Sequence, residues 1–260
     1  MSRKRHKNIF AAVLLGLVVV ASIMLWVAYD QWRLSQQLIL AIKAADVKRA
    51  ENALNSGADP NSREETRGTI WERIVDHVFR PSMAMEQPTA LMLATDLSEP
   101  LYNGPHERVA GTLVKALLAH GASSNLPVGR YAETPLDAAI RSNLGRSEVI
   151  KALIEHGGHT SADPPYDDLC LAIESNADLE IIELLLKRGS NPDAEDHDQK
   201  TPLSYAILRG DLPIVRTLLR YHANPSALTI TYDPQSRPLR VAQEEGKREV
   251  YDLLKSAGAR

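Results

Sequence analysis

Apolar residues fall into two regimes along this chain. From Ile9 to Tyr29 the stretch IFAAVLLGLVVVASIMLWVAY runs 21 residues without a charge. A helix crossing the hydrocarbon core of a bilayer needs about 20 such residues. Lipid forces a helix there, because it offers backbone groups no hydrogen-bond partner. The other reading, a buried core helix of a soluble domain, is not expected, because no face of the stretch is polar. Trp26, Tyr29 and Trp32 stand at its far end, where amphipathic rings prefer the membrane interface. Beyond residue 36 the pattern changes to short apolar clusters separated by turns. Val149-Ile150 with Leu153-Ile154, and Ile181-Ile182 with Leu185-Leu186, lie four residues apart and make one apolar stripe per helix.

Two short signals then alternate. One is a Thr-Pro-Leu-x-x-Ala pattern: QLILA (37–41), TALMLA (89–94), TPLDAA (134–139), DLCLA (168–172), TPLSYA (201–206) and RPLRVA (237–242). The other is a Leu-rich helix ending in small residues: ALNSGADPN, LLAHGASSN, LIEHGGHTS, LLKRGSNPD, LLRYHANPS and LLKSAGAR. The turn glycines are Gly57, Gly121, Gly157, Gly189 and Gly258, with His222 in the slot between the last two. Their successive gaps are 64, 36, 32, 33 and 36 residues. Apart from the first, these match the ankyrin period of about 33 residues.

On TPLDAAI (134–140), TPLSYAI (201–207) and GADPN (57–61), residues 36–260 resemble the ankyrin-repeat family outside one insertion. The expected fold is all-α: an ankyrin-repeat solenoid of about six helix-turn-helix repeats joined by hairpin loops, preceded by a single transmembrane helix. Local chemistry agrees. Pro135 and Pro202 suit the first helical turn, where a missing N–H costs nothing, and Thr134 and Thr201 before them suit N-caps. Ala41, Ala94, Ala139, Ala172, Ala206 and Ala242 are small where helices must approach. Glycine after the second helix takes the left-handed cap conformation, which predicts that His222 is also left-handed. A single helix pair cannot bury its apolar face, so neighbours must stack and the ends need polar outer faces. VKRAENALNSG in the first repeat and REVYDLLKSAG in the last, with Lys255 where inner repeats carry Leu or Ile, provide them.

The expected organisation is a basic tail (1–8), the membrane helix (9–29), a linker (30–35) and the repeat domain (36–260). Repeats fall near 36–61, 88–125, 133–160, 166–192, 200–225 and 236–260. The insertion lies in the first, long gap. Its TIWERIVDHVFRP (69–81) carries Ile70, Trp71, Ile74, Val75, Val78 and Phe79 at helical spacing, predicting an added helix near 69–80 that ends before Pro81. A further loop, 98–108, lengthens the turn within the second repeat.

Charge adds a direction. Arg3, Lys4, Arg5 and Lys7 precede the membrane stretch, while Asp30, Arg33 and Lys43 are nearly all that follows within a few turns. The positive-inside rule therefore keeps the N-terminus cytoplasmic and sends the repeats across, to a periplasmic or extracellular side. The rival is a cleaved signal peptide, with Val19-Val20-Ala21 as a passable site, but such apolar regions usually run about 7–15 residues. Ala12 and Gly16 form a small-xxx-small pair that would suit a weak homodimer. A net charge of −3 does not suggest nucleic acid. The one cysteine, Cys170, forms no internal disulfide and sits in DLCLA as a small buried side chain.

No enzyme motif occurs: HExxH, GxSxG, GxGxxG and the P-loop are absent from the sequence. His120 and His156 lie about one repeat apart, too far to share a zinc at ligand distances near about 2 Å. DAEDHDQK (193–200) lacks the Gly and Glu of a calcium loop and is expected to be a solvated hairpin tip. No cofactor, metal or catalytic role is expected. The resemblance implies protein recognition by hairpin tips and first-helix residues. On this sequence the exposed tips would be Arg130, Tyr131, Glu133, Tyr166, Asp167, Asp196, His197, Asp198, Lys200, Tyr232 and Arg237, with Trp71 on the inserted helix. Tyr131, Tyr166 and Tyr232 are the expected anchors, since aromatic residues dominate interface energetics. The function expected is a membrane-anchored scaffold or adaptor. The alternative is an inhibitor, assembly or protective factor that masks one enzyme, secreted if the N-terminal segment is cleaved.

Overall fold

The computed structural model describes residues 2–64, 87–97, 106–129, 132–141, 147–160, 168–196, 198–227 and 237–259. The helix expected near 69–80 lies outside them. The helices are α1 (Ser2–Lys43), α2 (Val47–Asn55), α3 (Ala90–Asp96), α4 (His106–Ala119), α5 (Pro135–Arg141), α6 (Ser147–Glu155), α7 (Asp168–Glu174), α8 (Leu179–Arg188), α9 (Pro202–Arg209), α10 (Leu212–Arg220), α11 (Pro238–Glu244) and α12 (Arg248–Ser256).

The expected linker at 30–35 is instead helix, because α1 runs unbroken for 42 residues. No glycine or proline stands between Gly16 and Gly57 to stop it. Asp30 and Arg33, which read as a polar break, sit one turn apart and form an ion pair at 2.8 Å. The two parts of α1 live in opposite surroundings. Leu15, Leu25 and Trp26 are 67%, 72% and 67% exposed, whereas Leu38 and Ile42 are 0% exposed. Residues from Leu34 onward are the first helix of the first repeat.

Two layers follow. First helices pack on first helices in the order α1, α3, α5, α7, α9, α11, and second helices on second helices from α2 to α12. The small alanines let the first layer close up: Ala41, Ala94, Ala139, Ala172, Ala206 and Ala242 are all buried, as are Leu136, Leu169 and Leu203. The inner second helices each carry two apolar rows. One row is Leu113/Leu117, Val149/Leu153, Ile181/Leu185, Ile214/Leu218 and Val250/Leu254, all buried. The neighbouring row is Val114/Leu118, Ile150/Ile154, Ile182/Leu186 and Val215/Leu219. In α12 that second row becomes Tyr251 and Lys255, half-buried and exposed; in α2 the exposed Arg49 occupies the first row. The outermost described helices thus lack the row that an adjoining repeat would cover.

Successive elements reverse at two edges. At the turn edge, between the helices of a repeat, Ala45, Asn176, Gly210 and Gly246 are left-handed, with φ of 53, 61, 73 and 67°. At the loop edge, between repeats, the glycine slots are left-handed, and His222 shares their conformation at φ 69°. Thr89 and Thr201 accept the N–H of Met92 and Ser204 at 3.1 and 3.3 Å, capping α3 and α9. Thr134 and Asp137 cap α5 reciprocally: the Asp137 carboxylate accepts the Thr134 N–H at 2.9 Å while the Thr134 hydroxyl oxygen accepts the Asp137 N–H at 3.3 Å.

Candidate functional site

The loop edge is held in line by one recurring contact. In three turn segments the fifth residue, counted from the glycine slot, reaches the next repeat. Asn61 accepts the Ser123 N–H at 2.7 Å, Asn125 accepts the His159 N–H at 2.9 Å, and Asp193 accepts the Asn224 N–H at 2.7 Å. In each case the N–H lies two residues past the next glycine slot. Asn61 and Ser123 meet although the insertion separates them, so the first two repeats are neighbours in space. At the turn edge an arginine does the equivalent work. The Arg209 guanidinium donates to the Ile173 carbonyl at 2.6 Å and to the Asn176 side chain. At the loop edge, Arg188, next to the Gly189 slot, donates to the Ile154 carbonyl at 2.8 Å.

The loops themselves are folded by internal bonds. Around the fourth one, Asp196 was expected at an exposed tip but is only 3% exposed. The reason is its hydrogen bonding. One carboxylate oxygen accepts the N–H groups of Asp198 at 2.8 Å and Lys200 at 2.9 Å, and the other accepts the Tyr205 hydroxyl. A carboxylate satisfied three ways by its own chain is drawn inward, leaving Asp198 exposed beside it. The Lys200 ammonium lies 3.5 Å from Asp198 and 5.4 Å above the Tyr205 ring centre. Burial first, then the Asp196 hydrogen bond and charge, push the Tyr205 hydroxyl pKa well above its ordinary value.

Of the remaining expected tip residues, Glu133 is half-buried and pairs through its backbone with Val128. Burial raises its pKa, and Arg141 at 3.9 Å opposes the rise. Arg237 is exposed at the N-cap of α11. Arg130, Tyr131, Tyr166, Asp167, His197, Tyr232 and Trp71 lie outside the described residues. Tyr205 was missed, as was the row it belongs to. The residue before each small alanine is Leu40, Leu93, Ala138, Leu171, Tyr205 or Val241. This row is 65% exposed at Leu40, half-buried at Leu93, Ala138 and Tyr205, and buried at Leu171 and Val241. Its signal was present in the sequence as an apolar residue at a fixed place in every Thr-Pro-Leu-x-x-Ala segment.

Together these make a face: an apolar row on the first helices, flanked by charged loops that hydrogen bonds hold in fixed register. Two-layer helix pairs repeating on one period, with such a face, decide the architecture. The array is an ankyrin-repeat solenoid. Residues 169–260 match the family model for ankyrin repeats, three copies. The B-cell lymphoma 3 protein homolog of Mus musculus is 32% identical over 160 residues, 59% of this chain and 34% of that protein. The chain thus spans about a third of that relative's length. Among solved structures, an ankyrin repeat domain from Acinetobacter baumannii AYE aligns with a TM-score of 0.62 at 23% identity, covering 86% of this chain and 98% of that one. The ankyrin repeat domain of Bcl-3 aligns with a TM-score of 0.58 at 20% identity, covering 86% of each chain. These likenesses establish the fold.

Among the described residues, no group of three His, Cys, Asp or Glu side chains is placed to hold a metal ion. His156 turns its Nδ1 to the Ala152 carbonyl at 2.8 Å, inside its own helix. Cys170 is 1% exposed, with its sulfur 3.7 Å from the Lys200 carbonyl oxygen. A thiol enclosed under the Asp196 loop is a packing group.

Proposed function

We propose that this chain is a single-pass membrane protein whose ankyrin array binds a protein partner on the far side of the bilayer from its basic N-terminus. The observation that carries the reading is the division of α1. Leu14 to Tyr29 present apolar side chains to the outside on every face, yet the same helix, a few residues on, is sealed in the repeat core. Among the described residues, one helix is long and apolar enough to cross a membrane, and none of its most apolar window is buried by the rest of the chain. Exposed apolar surface of this extent needs a non-aqueous environment. Arg3, Lys4, Arg5 and Lys7 support the cytoplasmic placement of the N-terminus. The partner face is the row from Leu40 to Tyr205 with Asp198, Lys200 and Arg237 at its rim.

Alkaline carbonate extraction of fractionated cells, followed by mass spectrometry of the N-terminus, tests the anchor. The expected result is intact protein in the membrane pellet. A mature chain beginning near Ser22, or release by carbonate, overturns it. For the partner face, Leu40→Glu combined with Lys200→Glu should reduce affinity capture from solubilised membranes at least tenfold with the helical circular dichroism unchanged. Undiminished capture would place the binding surface elsewhere.

A further inference from the structure

The unbroken α1 fixes more than attachment: it decides which edge of the array looks at the bilayer. Every first helix begins at the loop edge and ends at the turn edge, and α1 is the first of these helices. Its N-terminal extension must leave the array at the loop edge. The contact that measures the height is between α1 and the first loop, where Ser62 donates to Ser35 at 2.8 Å. Six residues separate Ser35 from Tyr29, about 9 Å at about 1.5 Å per residue. The headgroup layer on each side of a bilayer is about 5–8 Å deep. An interface placed at Tyr29 therefore leaves the Ser62 loop at the outer boundary of the headgroups. The Asn61, Asn125 and Asp193 contacts keep later loops in the same row. The turn edge stands one helix length further out.

We infer that the loop edge of the array faces the membrane at headgroup height, so that the partner it contacts is the extramembrane collar of another protein held in the same bilayer. This rests on the anchoring proposed above. Charge separates a protein from lipid as the occupant. Among the described residues, Glu133, Glu195 and Asp198 accompany Lys200 and Arg237 along this edge. A mixed, acid-leaning row gains nothing from an anionic lipid surface, which recruits clustered Lys and Arg. It suits a protein surface of mixed and basic character. A soluble partner would also have to enter a gap only a few ångström deep between the loops and the headgroups.

The experiment is a depth measurement on the full chain in phosphatidylcholine–phosphatidylglycerol vesicles. Single spin labels go on Ser123→Cys and Asp198→Cys at the loop edge, and on Lys48→Cys and Asp178→Cys at the turn edge. Cys170 is buried and stays unlabelled, which unmodified protein verifies. A paramagnetic ion chelated to lipid headgroups should relax the loop-edge labels several-fold more strongly than the turn-edge labels. Equal or reversed relaxation in protein that floats with the vesicles overturns the orientation and leaves the anchor standing. Failure to float overturns the anchor, and this inference with it. For the partner, a photo-crosslinker at Asp198 in native membranes should give an adduct to a carbonate-resistant integral protein, absent when the crosslinker is at Asp178. Adducts to lipid or to a soluble protein, or none, overturn the collar.

Discussion

The Tyr205 hydroxyl on α9 donates to the carboxylate of Asp196 in the loop that precedes it, so a first helix and its loop share one buried acceptor. Asp196→Ala removes that acceptor from the hydroxyl and from the N–H groups of Asp198 and Lys200 together. The expected loss is about 2–3 kcal/mol in urea denaturation, and Tyr205→Phe alone should cost about 1–2 kcal/mol. The double variant should lose less than the sum, because both changes break the same network. Strict additivity would mean the two groups act separately.

Tyr205 also carries an alkaline signature. Burial and the Asp196 carboxylate raise its pKa in the folded state. The folded protein therefore holds this proton more tightly than the unfolded chain does. The associated stability is fully present below the unfolded tyrosine pKa of about 10 and is lost as pH climbs through the folded value. In a near-ultraviolet titration, Tyr205→Phe should leave the amplitude of the ordinary tyrosine transition unchanged. A drop in that amplitude would show that Tyr205 ionises with the others.

His222 sits at φ 69°, in a slot that holds glycine in the other turns, and its side chain is exposed. Glycine adopts this conformation without the Cβ penalty. His222→Gly should therefore stabilise the array by about 0.5–1 kcal/mol, and Gly189→Ala, at φ 97°, should destabilise it by a similar amount. Thermal melts of the two variants moving in the same direction would contradict this.

Asn125 both accepts the His159 N–H and donates to the Gly157 carbonyl at 3.0 Å. It ties the second repeat to the third at the loop edge. Asn125→Ala should cost about 1–2 kcal/mol. In a repeat array, stability is held partly in the contacts between neighbours. The loss should therefore appear in hydrogen exchange as faster opening across residues 106–129 before the C-terminal repeats respond. Uniform acceleration along the chain would show that the contact does not set a local boundary.

The stacked layers were legible because their signal is periodic. Leu136, Leu169 and Leu203 recur at one place in a repeating segment, and burying them is the only use the fold has for that place. Asp196 reads as exposed because it is charged, but two N–H donors from its own loop and the Tyr205 hydroxyl from α9 outweigh the cost of burying a carboxylate, and only the folded geometry shows them. The same habit made Asp30 and Arg33 look like a linker, although a pair one turn apart is compatible with helix and nothing nearby breaks one. Tyr205 and the Asn61–Asn125–Asp193 series were visible as positions but not as contacts, since each meets a residue in another loop. The proposed orientation against a bilayer rests on the Ser35–Ser62 contact, which no spacing rule supplies.

The unbroken α1 has a kinetic side as well. A helix as short as the other first helices, such as α5 or α7, is costly to start, because its opening turn fixes several residues for a single hydrogen bond. The segment from Leu34 to Lys43 avoids that step, since it only lengthens a helix already formed upstream. Assembly of the array then has a preferred place to begin, at its first repeat, and order spreads outward from there, each completed hairpin serving as template for the next.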